Sequence, residues 1–300
     1  QGEEIFDFRM ESVLERERNS VYFSLKAGTN KLYVVKNITE LISLYDAKSV
    51  ITFGTKTEID FAKHRISVES EELFRFVRRI VKEEQGRIQN SREKYGYYYS
   101  GEEIKQYIPL YGNRLDCFYN LYKDYTVACT DRSGRTNVKT SYLFKEGNPN
   151  FSLKIEKDVD EEQIFHGIRV SGKMPDLIQG EQYRYYFSKE AFCRIAGDTA
   201  QNIEPLLELG KHGNISFSVG RKNLSEFYHQ VLPILKENVK IKEVDAQEIQ
   251  KYIPPEAVYT FYLDAENENI VCKTKVQYGE KVCSMLDHLR EEQGYEKKKA

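Results

Sequence analysis

The sequence predicts an α+β fold: two packed subdomains built of antiparallel β-hairpins and small sheets, with amphipathic helices covering them. Three observations predict it. In Tyr259, Phe261 and Leu263 apolar side chains recur every second residue, and after a polar turn at 265–269 the period returns in Ile270, Cys272, Thr274, Val276 and Tyr278. That is a hairpin, set behind the helix stop Pro254-Pro255. In residues 224–236 the spacing changes to helical, with Leu224, Phe227, Tyr228, Val231, Leu232 and Leu235 on one face. Finally, 22 Tyr and 16 Phe with no Trp suit aromatic-packed, half-buried sheets.

Along the chain, VYFSL (21–25) and KLYVVK (31–36) flank Gly28-Thr29-Asn30 as a first hairpin. Asn37 with Glu40 three residues on has capping-box spacing and starts a short helix, the cap contributing about 1 kcal/mol. Residues 49–54 and 59–67 read as strands. Ser70, Glu71 and Glu72 open a helix with Leu73, Phe74, Val77, Ile80 and Val81 on one face and Arg75, Arg78, Arg79 and Lys82 on the other. Periodicity is lost over 83–100, which reads as a linker, and Ser100 with Glu103 predicts a helix to Ile108.

The segment 93–147 is Tyr-rich and β-like, with 126–130 and 138–144 pairing around Asp131-Arg132-Ser133-Gly134. A second linker, 145–150, places the division between subdomains 1–147 and 148–300. FSLK occurs at both 23–26 and 151–154, in similar surroundings, so a duplicated unit competes with chance recurrence. Asn223 with Glu226, and Asp245 with Glu248, predict two further caps; Pro233 predicts a kink inside its helix, and 282–293 is read as a last helix.

Composition narrows the function classes. At 300 residues the chain has room for two cores, and 40% hydrophobic with 31% charged residues suits a globular protein with no membrane-spanning run. Its opening residues lack the basic-then-apolar order of a secretory signal and read as the edge of a longer chain. Five scattered cysteines, at 117, 129, 193, 272 and 283, read as free thiols in a reducing compartment, and a cytoplasmic location is expected. A net charge of −2 gives no general basic field for nucleic acid, so any such contact is local.

Chemistry-bearing motifs are scarce. Gly54-Thr55-Lys56-Thr57 lacks the first glycine and the helix of a phosphate loop, and Asp160-Glu161-Glu162-Gln163 lacks the buried strand of a Mg²⁺-holding acidic box and reads as a solvated turn. Cys272, Cys283 and His288 match no zinc spacing, His229 reads as a core-edge histidine, and no nucleophile elbow occurs. No catalytic, cofactor or metal residue is therefore assigned. The remaining candidates are cations suited to phosphate: Arg75, Arg78, Arg79 and Lys82 on one helix, Arg132 and Arg135 at a hairpin tip, and Arg221 and Lys222 before the 224–236 helix. Each is also readable as a solvated face balanced by nearby glutamates.

The segments YRYYFSKEAFCRI (183–195), GNISFSVGRKNLSEFYHQVLPILKENVKI (213–241) and YTFYLDAENENIVCKTKVQYGEKV (259–282) together resemble the accessory region that precedes the ATPase motor of bacterial Swi/Snf-type helicases. The carrying features are the Leu232-Pro233-Ile234-Leu235 helix, a short strand after it, and a Tyr262-Leu263-Asp264 hairpin ending in Tyr278-Gly279. In the N-terminal part, KLYVVKNITELI followed by ITFG is similar in order. The zinc-binding SWIM pattern that often precedes this region is absent, and the chain stops before any motor motif. The resemblance implies a non-catalytic part of a DNA-dependent ATPase, with ATP and Mg²⁺ held by a downstream motor of the same polypeptide. That motor is the expected partner, with DNA or RNA as a second and no membrane. A protein-interaction scaffold unrelated to any motor is the alternative.

Overall fold

The computed structural model describes residues 7–54, 57–95, 103–210, 213–253, 257–266, 269–278 and 281–284. In chain order it runs β1 (Arg9–Glu17), β2 (Ser20–Gly28), β3 (Tyr33–Val34), α1 (Ile38–Asp46), β4 (Val50–Phe53), β5 (Thr57–Asp60) and α2 (Glu71–Tyr95). Next come β6 (Ile108–Pro109), α3 (Gly112–Tyr122), β7 (Thr126–Asp131), β8 (Val138–Glu146), β9 (Ser152–Val159) and β10 (Phe165–Lys173). Then follow β11 (Ile178–Gln179), β12 (Arg184–Phe187), β13 (Ala191–Arg194), α4 (Gly197–Asn202), α5 (Glu204–Leu209) and β14 (Asn214–Gly220). The last are α6 (Leu224–Glu226), α7 (Leu232–Asn238), β15 (Lys240–Glu243), α8 (Ala246–Gln250), β16 (Ala257–Glu266), β17 (Asn269–Tyr278) and β18 (Lys281–Ser284). The α+β class is as expected.

Two compact units result, and they are discontinuous: 1–149, 175–201 and 211–213 form the first, and 150–174, 202–210 and 214–300 the second. The sequence reading made a single cut at 147/148. The difference arises because β13 pairs in parallel with β8, Ala191 opposite Leu143 and Phe192 opposite Phe144, which draws β11–β13 back into the first unit.

The sheet of the first unit has the order β11-β12-β13-β8-β7-β1-β2-β3, with β6 also on β2. Its hairpins are antiparallel, as the alternation predicts, but β1–β7 and β13–β8 join them in parallel. The widest ladder, β1–β2, turns through Arg18 in a left-handed conformation, and no strand was expected before residue 20. An aromatic core fills one side of the unit: Phe23 stacks on Phe118 at 4.9 Å, and Tyr185 on Phe192 at 5.5 Å. Such pairs add about 0.5–1.5 kcal/mol each beyond burial.

Local signals succeed where one side chain decides. Asn37 Oδ1 accepts the Glu40 N–H at 3.1 Å and caps α1. The linker expected at 83–100 is instead helical as far as Tyr95, and no helix forms over 103–107, where Lys105 and Ile104 carbonyls accept the Ile38 and Thr39 N–H groups. Ser100 lies outside the described residues.

In the second unit the order is β14-β10-β9-β15, with β15 parallel to β9. FSLK at 23–26 sits in the second strand of its hairpin and residues 152–154 in the first strand of theirs, while YRYYF joins the sheet of the first unit, so the two stretches occupy different places in the topology. The helix predicted at 224–236 spans α6 to α7 through a π-turn at Phe227–Val231 just ahead of Pro233. A proline there lacks the N–H that would bond residue 229 and its ring crowds that carbonyl, and widening the turn relieves both. Asn223 and Asp245 make no side-chain cap; a short turn at Arg221–Asn223 leads into α6, and Glu248 pairs with Lys157. His229 is exposed rather than core-edge, its Nδ1 meeting the Ser225 carbonyl at 2.8 Å.

Residues 257–284 make a separate three-stranded antiparallel sheet, β16-β17-β18. The expected hairpin forms, with Tyr259 opposite Val276, but its strands run on through Glu266 and resume at Asn269, inside the turn expected at 265–269; Lys281–Ser284 is a strand, not the start of a helix, and residues 285–293 lie outside the described residues.

Candidate functional site

On α2 the apolar face, Leu73, Phe74, Val77, Ile80 and Val81, is buried as its spacing requires, and the four cations stand on the exposed face. The structure divides these four into two pairs. Arg78 Nε lies 2.8 Å from Asp46 Oδ1 and Lys82 Nζ 3.2 Å from Asp46 Oδ2, so the last residue of α1 holds both. Burial raises the pKa of this carboxyl, yet the hydrogen bonds and charges of Arg78 and Lys82 outweigh burial and leave it below the ordinary value.

Arg75 and Arg79 pair with acids one turn away on their own helix, Glu71 and Glu83, the second at 4.0 Å, and the Arg79 guanidinium lies 5.7 Å from the Phe76 ring centroid. Their side chains are 70% and 54% exposed. They border an open groove of about 530 Å³ shared with α3 and lined also by Glu72, Phe76, Cys117, Asn120 and Leu121. Phe76 and Phe118 hold the two helices together with ring centroids 6.2 Å apart.

Arg132 has a different part. Its Nε donates to Glu15 Oε2 at 3.0 Å, its Nη2 donates to the Tyr107 hydroxyl at 2.6 Å, and its guanidinium lies 4.7 Å from the Tyr107 ring centroid. Glu15 is buried in β1 and also accepts the Ser24 hydroxyl. Arg132 thus neutralises an interior carboxylate and walls a cavity of about 100 Å³ with Glu15, Arg16, Glu17, Tyr22 and Tyr107. Arg135 is exposed beyond it on the β7–β8 turn. In the second unit Arg221 lies over Tyr252 at 5.8 Å, Tyr252 stacks on Phe165 at 4.0 Å, and Lys222 is exposed.

What the sequence did not disclose is the exposure of β16. Phe261 is 62% and Leu263 74% exposed, and Val258, Tyr259, Tyr262 and Val282 are exposed with them. Tyr259, Phe261 and Leu263 share a face with their partners Val276, Thr274 and Cys272, of which Val276 is buried, Thr274 intermediate and Cys272 exposed, and none of these six is charged. Thr260 and Tyr262 share the other face with Lys275 and Lys273, where Lys275 lies 5.3 Å from the Tyr262 ring. The alternation marked the two faces in advance; whether either is covered depends on packing that no local pattern encodes.

Among the described residues no cluster of three or more His, Cys, Asp or Glu is placed to hold a metal, and no helix is long and apolar enough to cross a membrane. Asp160 to Gln163 form the expected turn, Asp160 Oδ1 accepting the N–H groups of Glu162 and Ile164.

A family model described as bacterial SNF2 helicase associated matches residues 106–296, well over half of the chain. The chain belongs to this family. The SNF2 helicase-associated match takes in α3, the β7–β8 hairpin, the second unit's sheet and β16–β18. Arg132, Arg135, Arg221 and Lys222 fall inside it, whereas Arg75, Arg78, Arg79 and Lys82 lie ahead of it. No curated protein and no solved structure matches the chain.

Proposed function

We propose that this SNF2 helicase-associated chain is a non-catalytic accessory region that docks through the face of the β16–β17 hairpin carrying Tyr259, Phe261 and Leu263 on the ATPase motor of its own polypeptide. The observation that carries the reading is the exposure of Tyr259, Phe261 and Leu263 on one face of a small sheet. A sheet of three strands with one apolar face is stable when another layer covers that face. Contiguous exposed apolar surface of this kind marks protein interfaces, and aromatic side chains are the usual anchors of such interfaces. The family's description as helicase associated favours a motor lobe as the partner, and the sheet lies within the matched residues.

The test mixes this chain with the motor encoded after it in the same reading frame and measures complex formation by calorimetry. A Phe261→Lys, Leu263→Lys double variant is expected to weaken binding at least tenfold, because it places two charges in the interface. Failure of the unmodified chain to bind the motor, or indifference of the double variant, overturns the docking reading. ATP turnover by the purified chain alone overturns the non-catalytic part.

A further inference from the structure

We propose that the groove between α2 and α3 receives the phosphate backbone of a single-stranded nucleic acid, with Arg75 and Arg79 as its two grips. Of the eight cations singled out in the sequence, these two combine exposure, proximity and replaceable partners. Arg78 and Lys82 share Asp46, and Arg132 is tied to the buried Glu15. The ion-pair partners of Arg75 and Arg79 are exposed same-helix carboxylates, and the Arg79 guanidinium lies 5.7 Å from the Phe76 ring centroid. Such i,i+4 pairs are worth about 0.3–0.5 kcal/mol, so a phosphate displaces them at little cost.

The two arginines stand one helical turn apart, about 5–6 Å between their Cβ atoms, and can take neighbouring phosphates of one strand. The facing wall contributes a fixed donor. Asn120 Oδ1 accepts from Arg194 Nη1 at 2.9 Å, which orients the amide so that its NH₂ is the group left for a ligand. Between these polar walls the lining side chains Phe76, Leu121 and Cys117 offer apolar surface to sugar and base edges, and Glu72 is the acidic member of the lining. A charged groove that follows a backbone is the form single-strand sites take, whereas a duplex is read by an element that protrudes into its grooves. An acidic peptide is the competing occupant.

The deciding experiment is fluorescence anisotropy of a labelled oligothymidylate titrated with the full chain at several salt concentrations. Log affinity is expected to fall linearly with log salt. In an Arg75→Glu, Arg79→Glu variant the low-salt affinity should drop at least tenfold and the salt slope shrink by about 1.4, at about 0.7 per lost phosphate contact. Arg75→Lys, Arg79→Lys should retain most binding, and Arg135→Ala should bind as the unmodified chain does. Circular dichroism melts of the lysine variant should lie close to that of the parent, while the glutamate variant, which sets like charges at i,i+4 along residues 71 to 83, should melt somewhat lower but keep a cooperative transition. No binding at low salt, an unchanged glutamate variant, a duplex bound more tightly than the single strand, or polyglutamate competing as well as the oligonucleotide would each overturn the proposal.

Discussion

The buried carboxylate of Asp116 accepts the phenolic hydrogen of Tyr185 at 2.8 Å across 69 positions of sequence. The same carboxylate accepts the backbone N–H groups of Glu181 at 3.0 Å and Gln182 at 2.8 Å, so one side chain of α3 fixes the turn between β11 and β12. Gly180 lies against it, and a Cβ there would overlap Asp116 Oδ1. Asp116→Ala leaves three donors without an acceptor and should destabilise the first unit by about 3 kcal/mol, whereas Tyr185→Phe should cost about 1–2 kcal/mol. Urea denaturation of the two variants checks the ranking; equal losses would contradict it.

Arg132 and Arg135 are three residues apart and should behave oppositely. Removing Arg132 strands the Glu15 carboxylate in the interior, with an expected loss of about 2–4 kcal/mol. Arg135→Ala should stay within about 0.5 kcal/mol of the parent. Thermal melts of both variants decide whether Arg132 is structural.

Stability should fall at both ends of the pH scale. Asp46, Asp131 and Glu146 all have folded pKa values below the ordinary carboxylate values. For Asp131 burial pushes upward, but the Ser133 hydrogen bonds and the Arg16 charge prevail; for Glu146 the hydrogen bond from Arg194 leads. A depressed folded pKa gives stability that is present above the unfolded value and lost as pH falls through the folded one, so the acid loss should begin near pH 4.5 and deepen below it. Burial pushes Tyr119 and Tyr228 up to about 12, and Tyr185 further upward, against an ordinary value of 10.0. These groups contribute stability below pH 10 that is lost as pH climbs toward their folded values. Absorbance at 295 nm followed with far-UV circular dichroism should show them ionising together with unfolding, between about pH 10 and 12.

Thiol reactivity should follow burial. Burial, then the charges of Asp131 and Glu15, push the Cys129 thiol up to about 12, and Cys193 is buried as well. Cys272 is exposed on β17, with Cys117 intermediate. At pH 8, peptide mapping after brief alkylation should find Cys272 labelled first, Cys117 more slowly, and Cys129 and Cys193 only in denaturant.

The fold was legible where neighbours in sequence decide it and obscure where distant segments meet. Asn37 caps α1 through a residue three positions away, and alternation alone marks which residues of β16 and β17 share a face. By contrast Leu14 pairs with Cys129, and Ala191 with Leu143, in parallel registers that no turn specifies. The end of α2 was lost because Gln85, Gly86, Gln89 and Asn90 carry no apolar stripe. Across α3 the strand-favouring aromatics Phe118, Tyr119 and Tyr122 predict a β-like segment, whereas the structure packs them at helical spacing against Phe144. In the candidate sites residue types were legible and partners were not: nothing in the sequence ties Arg78 and Lys82 to Asp46 or Arg132 to Glu15.

The return of β13 to β8 fixes a timetable for biosynthesis. One edge of β8 has no partner until residues 191–194 leave the ribosome, after the 150–174 segment of the other unit has already emerged. At about 5–20 residues per second the interval from residue 146 to residue 194 lasts roughly 2–10 s. Over that interval a nascent strand carrying Tyr142 and Phe144 is open to mispairing. Gene truncations placed between residues 147 and 190, however natural the loop at 147–150 makes them look, should therefore yield insoluble product.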